Sequence, residues 1–451
     1  MLLLGACTVG PDYRRPATSI APVWQEPSGP GTIANDWWTG FGDPQLTALI
    51  EAGIKGNPGL REAEARLAEA RANRDVARGG AGPKLNATAS GTENQLSGNG
   101  QIPVSRIPGF SRNFSLFDAG FDASWEIDLW GGTRRSIEAA GARVEAAEAA
   151  RAGTLVQLRA EIARTYFELR AAQARLAAAR DDSGAQARTV DLVDRRFRGG
   201  EAARFDLARA QAQASATAAT VPVLEGDVRA AAYTLARLVG QPPEAIAPAL
   251  LDPKPLPPPP TSIAAGLRAD LLRRRPDITR AERELAAATA DIGVATADLF
   301  PRLSLLGSVG QEARSVDGLF TGGVTRFQLG PSFRWPILQR GTIRAKIRAS
   351  DARADAAAAR YEAAVFDALA DSETALNRFA RSAETERETS NSLAAARTAL
   401  ALADQRYRAG EDDLLPKLTA QSNAAEAERR LTDAQLARAT AAVAVFKALG
   451  L

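Results

Sequence analysis

The 451-residue sequence contains no histidine and one cysteine. Without histidine there is no serine–histidine triad, no imidazole acid–base chemistry and none of the usual zinc sites. A single cysteine excludes an intrachain disulfide and a CxxC site. Neither a phosphate-binding glycine loop nor a dinucleotide fingerprint occurs, and no paired-acid motif stands out. Catalysis would rest on carboxylates or lysines alone, so the chain reads as a non-enzyme without metal or cofactor. After the first few positions there is no run of about 18–20 uncharged apolar residues, which excludes a helical membrane span. Charge is nearly balanced, with 56 basic and 53 acidic residues, net +3, and the signs are interspersed. Such patterning belongs to solvated helix faces and gives no nucleic-acid footprint.

Aromatics are scarce too, at 6%, against an apolar content of 45% in which alanine is prominent. Alanine favours helix and lets backbones approach, but it builds a poor globular core. Long helices packed side by side are expected rather than a compact ball.

The lone cysteine closes the stretch Leu4-Gly5-Ala6-Cys7. An apolar residue, two small ones and cysteine have the form of a lipobox, where small neighbours give enzymes access to the thiol. A covalent lipid on Cys7 is therefore expected. Positions 1–6 read as a truncated signal remnant, since Met1 runs into Leu2–Leu4 without a basic lead. Gly10, Pro11 and Pro16 follow closely and forbid helix, so Cys7 is not a mid-helix core cysteine. Thr8 stands where Asp, in Gram-negative lipoproteins generally, would suggest inner-membrane retention. It therefore suggests the outer membrane.

The chain is an internal tandem repeat. "NPGLREAEARLAEARANRDVARGGAGPKLN" from Asn57 aligns without a gap on "RPDITRAERELAAATADIGVATADLFPRLS" from Arg275. "RFRGGEAARFDLARAQ" (196–211) likewise matches "RYRAGEDDLLPKLTAQ" (406–421). The expected division is 7–55, a lipidated N-terminal segment; 56–240, the first repeat; 241–274, a proline-rich extended connector; and 275–451, the second repeat. Each repeat should open with a helix, from Pro58 to about Arg78 and from Pro276 to about Leu299.

Two strands per repeat follow. Phe117, Ala119, Phe121, Ala123, Trp125, Ile127 and Leu129 alternate with Asp118, Gly120, Asp122, Ser124, Glu126 and Asp128. Phe327, Leu329, Pro331, Phe333 and Trp335 repeat the pattern in the second half. Strict period two marks a strand with one apolar face, and the lengths fit tilted membrane strands with aromatics at both ends. Weaker partner strands are expected at 84–94 and 302–313. Four spanning strands cannot close a barrel, because about eight is the practical minimum and open edges are not tolerated in lipid. Several chains must pool their strands.

Gly132 to Arg198 contains no proline and carries a heptad seam through Leu155, Leu158, Ile162, Leu169, Leu176, Val190 and Val193. At 1.5 Å per residue such a rod is roughly 100 Å long. Gly341 to Arg408 gives a second rod. The first should turn at Gly199-Gly200 and the second at Gly410, returning to about Val239 and Leu449. Gly184 and the Pro222 region should unwind locally.

Together these features resemble the TolC-like outer-membrane efflux proteins, lipoprotein branch. The resemblance rests on Cys7-Thr8-Val9-Gly10-Pro11-Asp12-Tyr13 with Pro16, on 37–72, on "LFPRLSLLGSVG" and on the two glycine turns. It covers essentially the whole chain. It implies an α+β membrane protein of the Gram-negative outer membrane, a homotrimer reaching into the periplasm. Long coiled-coil hairpins would form a trimeric α-barrel, and four transmembrane strands per chain would complete a twelve-stranded β-barrel. A periplasmic adaptor and an inner-membrane resistance–nodulation–division pump would be its partners, leaving this chain a passive exit duct.

The resemblance also assigns roles to residues. Asp206 and Tyr407 match the family's closing latch. Pro416 and Thr419 stand where relatives carry aspartates, leaving open an acidic constriction or a leucine gate from Leu415 or Leu418. Arg198, Gly199, Gly200, Arg408 and Gly410 would form the adaptor-docking tips. Asp118, Asp122, Glu126 and Asp128 would give an acidic, wet barrel lumen that favours cations. Two other readings are a duct for secreted polypeptide, of type I-like systems, and a structural lipoprotein that does not conduct.

Overall fold

The computed structural model describes residues 8–17, 20–26, 28, 35–98, 109 and 111–451, so Cys7 lies outside the described residues. Chain order is α1 (Pro44–Gly56), α2 (Pro58–Gly79), β1 (Lys84–Gln95), β2 (Asn113–Ile127), α3 (Gly132–Arg198), α4 (Arg204–Val239) and α5 (Pro243–Leu250). Then come α6 (Leu271–Arg274), α7 (Pro276–Ala297), β3 (Arg302–Ala313), β4 (Thr325–Arg334), α8 (Arg340–Ala409) and α9 (Leu414–Ala448). Two compact units result: residues up to 16 with 67–147 and 281–361, and residues 17–66 with 148–280 and 362–451.

Helix limits follow local chemistry. Proline opens α1, α2, α5 and α7, where its missing N–H costs nothing. Asp43 caps α1, its Oδ1 accepting from the N–H groups of Gln45 at 2.8 Å and Leu46 at 3.2 Å. Four helices end on the same paired bonds around a left-handed glycine. At Gly200, the Glu201 N–H reaches the Arg196 carbonyl at 2.8 Å and the Gly200 N–H reaches Phe197 at 3.0 Å. At Gly410, Glu411 reaches Arg406 at 3.0 Å and Gly410 reaches Tyr407 at 3.2 Å. Gly240 and Gly450 repeat the motif after α4 and α9.

The expected unwinding does not occur: α3 is unbroken through Gly184, and α4 through Pro222. Pro222 leaves one carbonyl in the preceding turn without its usual N–H. Packing on the buried residues Thr217 and Val228 to either side carries the helix across that gap.

In the first unit, four strands form one antiparallel sheet in the order β1-β2-β3-β4. Phe121 lies opposite Ala87 and Val309, and Phe327 opposite Val309. The hairpins of the two repeats thus meet along β2 and β3. Gly120 and Gly310 face each other at this seam, where a Cβ on Gly120 would stand 2.5 Å from the Val309 carbonyl oxygen. Only glycine allows that approach.

In the second unit, aromatics concentrate in one core. The Trp37 ring stacks on Phe446 at 4.8 Å, and Phe41 meets Phe167 at 4.8 Å. Leu46, Ile50, Ile162, Phe167 and Leu235 are fully buried around them, each contributing roughly 1.5–3 kcal/mol. The buried Arg170 guanidinium lies over the Tyr166 ring at 4.8 Å and donates to Gln173 at 2.6 Å and to the Asp252 carbonyl at 3.1 Å. That last bond ties the proline-rich connector to α3.

Candidate functional site

The sheet register sorts side chains by parity. Odd positions give an apolar face: Leu85 and Ala87; Phe121 and Trp125; Leu305 and Val309; Phe327, Leu329 and Phe333. Phe327, Phe333, Leu85 and Leu329 are among its most exposed members. Even positions give a polar face rich in Ser, Thr, Asn and charge. This is the pattern of a strand wet on one side and in lipid on the other.

The expected acidic lumen needs correction. Asp118, Asp122, Glu126 and Glu312 do share the polar face, but so do Lys84, Arg302, Arg326 and Arg334. Arg326 forks onto Asp118, with Nη2 to Oδ1 at 2.7 Å, and Arg302 faces Glu126 at 3.7 Å. Thr88 donates to Asp122 at 3.1 Å. Four acids meet four bases, so the face is wet and charge-balanced. Reading β2 alone missed the neutralising arginines because they come from β3 and β4. Asp128 lies beyond the end of β2 and accepts from the Arg134 N–H at 2.9 Å at the start of α3.

Beside the sheet, residues 8–15 form a strap that sequence reading did not foresee. The Val9 N–H bonds to the Trp130 carbonyl at 3.0 Å. Arg135, almost fully buried, donates to the Val9 carbonyl at 3.2 Å, to Asp12 at 2.6 Å and to Glu138 at 2.8 Å. The Tyr13 hydroxyl donates to the buried Glu282 at 3.1 Å, and Arg15 pairs with the same carboxylate at 2.9 Å. Burial, and then the Glu282 carboxylate, pushes the Tyr13 phenol up to about 12, so it stays a donor. The residues directly after Cys7 are thereby fixed to the helix-bearing end of the sheet. The only sequence signal was Pro11 and Pro16, which keep the strap extended.

In the second unit, the glycine turns at Gly199-Gly200 and Gly410 bring the α3–α4 and α8–α9 hairpins together at one apolar cluster. It comprises Val193, Ala210, Tyr407, Leu414 and Leu418. Leu418 is therefore packed inside, 6% exposed, and does not stand at an opening, whereas Leu415 is 47% exposed. The Tyr407 ring is flanked by two cations, the Arg196 guanidinium at 4.6 Å and the Lys417 ammonium at 5.1 Å. Lys417 is itself paired with Asp404 at 2.8 Å. Among the described residues, Asp206 and Tyr407 make no side-chain bond within one chain. Arg198 and Arg408 are exposed on the two tips and pair with Asp194 at 2.6 Å and Asp404 at 2.8 Å.

A sheet with one wet and one greasy face, carried on paired long helices, is the plan of an outer-membrane duct. The profile of the family described as "Outer membrane efflux protein" matches residues 49–241 and 267–451. Nodulation protein T of Rhizobium leguminosarum bv. trifolii is 31% identical over 97% of this chain and 92% of its own length. The pyoverdine export outer membrane protein OpmQ of Pseudomonas aeruginosa is 31% identical over 100% of this chain and 94% of its own. The solved outer-membrane channel OprN superposes with a TM-score of 0.90 at 37% identity, covering 98% of this chain and 99% of that one.

The chain belongs to the outer membrane efflux protein family of TolC-like channels. It has the family's trimeric α/β-barrel architecture with repeated helix pairs, and it is a passive channel rather than an enzyme.

Proposed function

We propose that this chain is the outer-membrane channel of a resistance–nodulation–division efflux pump, exporting small molecules such as drugs across the outer membrane. One observation carries the reading. The sheet has a charge-balanced wet face and an exposed apolar face, and among the described residues no strand pairs with the outer edges of β1 and β4. Such a sheet is stable in lipid only when further copies close it, and three copies of four strands give a twelve-stranded barrel. Mass measurement in detergent and conductance in planar bilayers test this. A monomer, or a trimer silent even with its tips loosened, rejects it.

The finer assignments rest on the same frame. Cys7 carries the lipid, and the strap at 8–15 holds that anchor beside the sheet. The chain divides into the segment 7–55, repeats 56–240 and 275–451, and the connector 241–274. A periplasmic adaptor docks on the tips at Arg198, Gly199, Gly200, Arg408 and Gly410. Asp206, partly exposed and without a side-chain partner among the described residues, is positioned to latch onto a neighbouring copy. Leu415 narrows the aperture. Cys7→Ser should abolish incorporation of labelled palmitate; retained label would place the lipid elsewhere.

A further inference from the structure

We infer that the start of α8 is a binding surface for anionic phospholipid head groups, in the leaflet that faces the long helices. Where β4 runs into α8, the chain presents Trp335, Ile337 and Leu338, of which Leu338 is 99% exposed. Arg340, Arg344 and Arg348 follow at intervals of four, a spacing that stacks side chains along one flank of a helix. All three are exposed. The buried side of the same stretch is a different one, marked by Ile343 and Ser350.

Three further observations give the surface its chemistry. First, none of the three arginines forms an ion pair among the described residues, and the first acid on α8 is Asp351. The Arg340 guanidinium lies over the Trp335 ring at 5.6 Å. Second, the corresponding start of α3 is spent internally: Arg134 pairs with Asp128 at 3.3 Å, and Arg135 with Asp12 and Glu138. The free charge on α8 is thus a local feature of the second repeat. Third, the stripe continues the apolar sheet face. The Trp335 indole N–H donates to the Leu299 carbonyl at 3.1 Å, as Trp125 does to Ala81 at 3.0 Å. Indoles held that way mark the level where acyl chains give way to head groups. Exposed apolar side chains followed at once by unpaired arginines match, in order, acyl chain and then phosphate. Basic clusters beside a membrane segment attract anionic lipid by about fivefold for each cation, equivalent to ~1 kcal/mol.

This inference rests on the strands spanning the outer membrane, and the experiment separates the two. The full chain and its Trp335→Phe variant are reconstituted, and the difference in fluorescence isolates Trp335. Quenching is then compared between vesicles containing brominated phosphatidylcholine and brominated phosphatidylglycerol. At low salt the glycerol lipid should quench with at least about fivefold preference, and the preference should collapse at high salt. The triple variant R340Q/R344Q/R348Q should lose it, and R340K/R344K/R348K should keep most of it. Equal quenching by both lipids overturns the head-group site while leaving the spanning strands intact. A preference that survives in the glutamine variant also overturns it. So does dissociation of the trimer by that variant with the preference unchanged, since the arginines would then contact a neighbouring copy. No quenching by either lipid sinks the membrane-spanning reading itself.

Discussion

The two repeats share a backbone plan and differ in what their side chains hold. Both end their return helices on a left-handed glycine, Gly240 after α4 and Gly450 after α9. At Gly240 an added Cβ would stand 2.1 Å from the Gly56 carbonyl oxygen, but at Gly450 the nearest atom is the Arg274 carbonyl oxygen at 3.1 Å. Both long helices begin with arginines, yet on α3 Arg135 is bound to the N-terminal strap and Arg134 to Asp128, while on α8 Arg340, Arg344 and Arg348 form no ion pair among the described residues. The tips also diverge: Phe205 and Asp206 open α4 where Leu415 and Pro416 open α9. The repeats share a geometry, but the start of α3 is closed on the strap at 8–15 and the start of α8 is exposed.

The most severe test of this comparison is Gly240→Ala against Gly450→Ala. Both pay left-handed strain of about 1–2 kcal/mol, but the first drives a methyl group to 2.1 Å from a backbone oxygen, whereas the second only presses on backbone at 3.1 Å. Gly240→Ala should prevent recovery of folded trimer, while Gly450→Ala lowers the thermal midpoint by a few degrees. Equal behaviour would mean that the closer packing of the first repeat carries no energetic weight.

Arg135→Ala comes next. It leaves the Val9 carbonyl unmet and frees the strap, while the released Asp12 and Glu138 carboxylates are solvated, so it should cost about 1–3 kcal/mol, the scale for one buried polar group left without its partner. Arg344→Ala should stay within about 0.5 kcal/mol, as for exposed positions. Thermal melts of both variants in one detergent read the contrast, and a large loss in Arg344→Ala would erase it.

At the tips, Tyr407→Phe keeps the ring between Arg196 and Lys417 and should leave the closed state intact. Tyr407→Leu removes about 0.5–2 kcal/mol of cation–π contact and should raise bilayer conductance. An increase in the phenylalanine variant would show that the hydroxyl holds the latch. Asp206→Ala should raise conductance if that carboxylate bridges to the neighbouring copy.

The smallest effect belongs to Asp182. Burial holds its carboxyl above the usual range, with Gln421 only 3.5 Å away. A raised acid binds its proton more tightly folded than unfolded, so stability falls as pH rises from the unfolded value through the folded one. Asp182→Asn should be the more stable form at neutral pH, and the gap should shrink on acidification through that window. A gap independent of pH would assign the gain to packing instead.

These contrasts also show what a sequence makes legible. Period-two alternation located β2 and β4 because each strand advertises its own faces. Proline at N1 and glycine at the turns located the helix ends, because caps are chemistry within a few residues. Arg135 gave no such signal: apart from Glu138 one turn on, its partners Val9 and Asp12 lie more than a hundred positions away on an irregular strap. The balance of the wet face was hidden for the same reason, since Arg326 reaches Asp118 across β3. Leu415 and Leu418 looked alike in a string, yet helix phase buries one in the hairpin cluster and exposes the other. Pro222 looked like a break, but flanking packing overrides a single missing hydrogen bond.

The seam between β2 and β3 sets a timetable for biogenesis. Its two sides come from different repeats, so the first β hairpin emerges from the export machinery long before its mate has been synthesised. Loop closure over such a span is slow. Through that interval β2 offers an unsatisfied edge and a greasy face to the periplasm. A truncated product ending in the connector would keep that sticky ribbon permanently exposed, an aggregation hazard that the full chain removes only when β3 arrives.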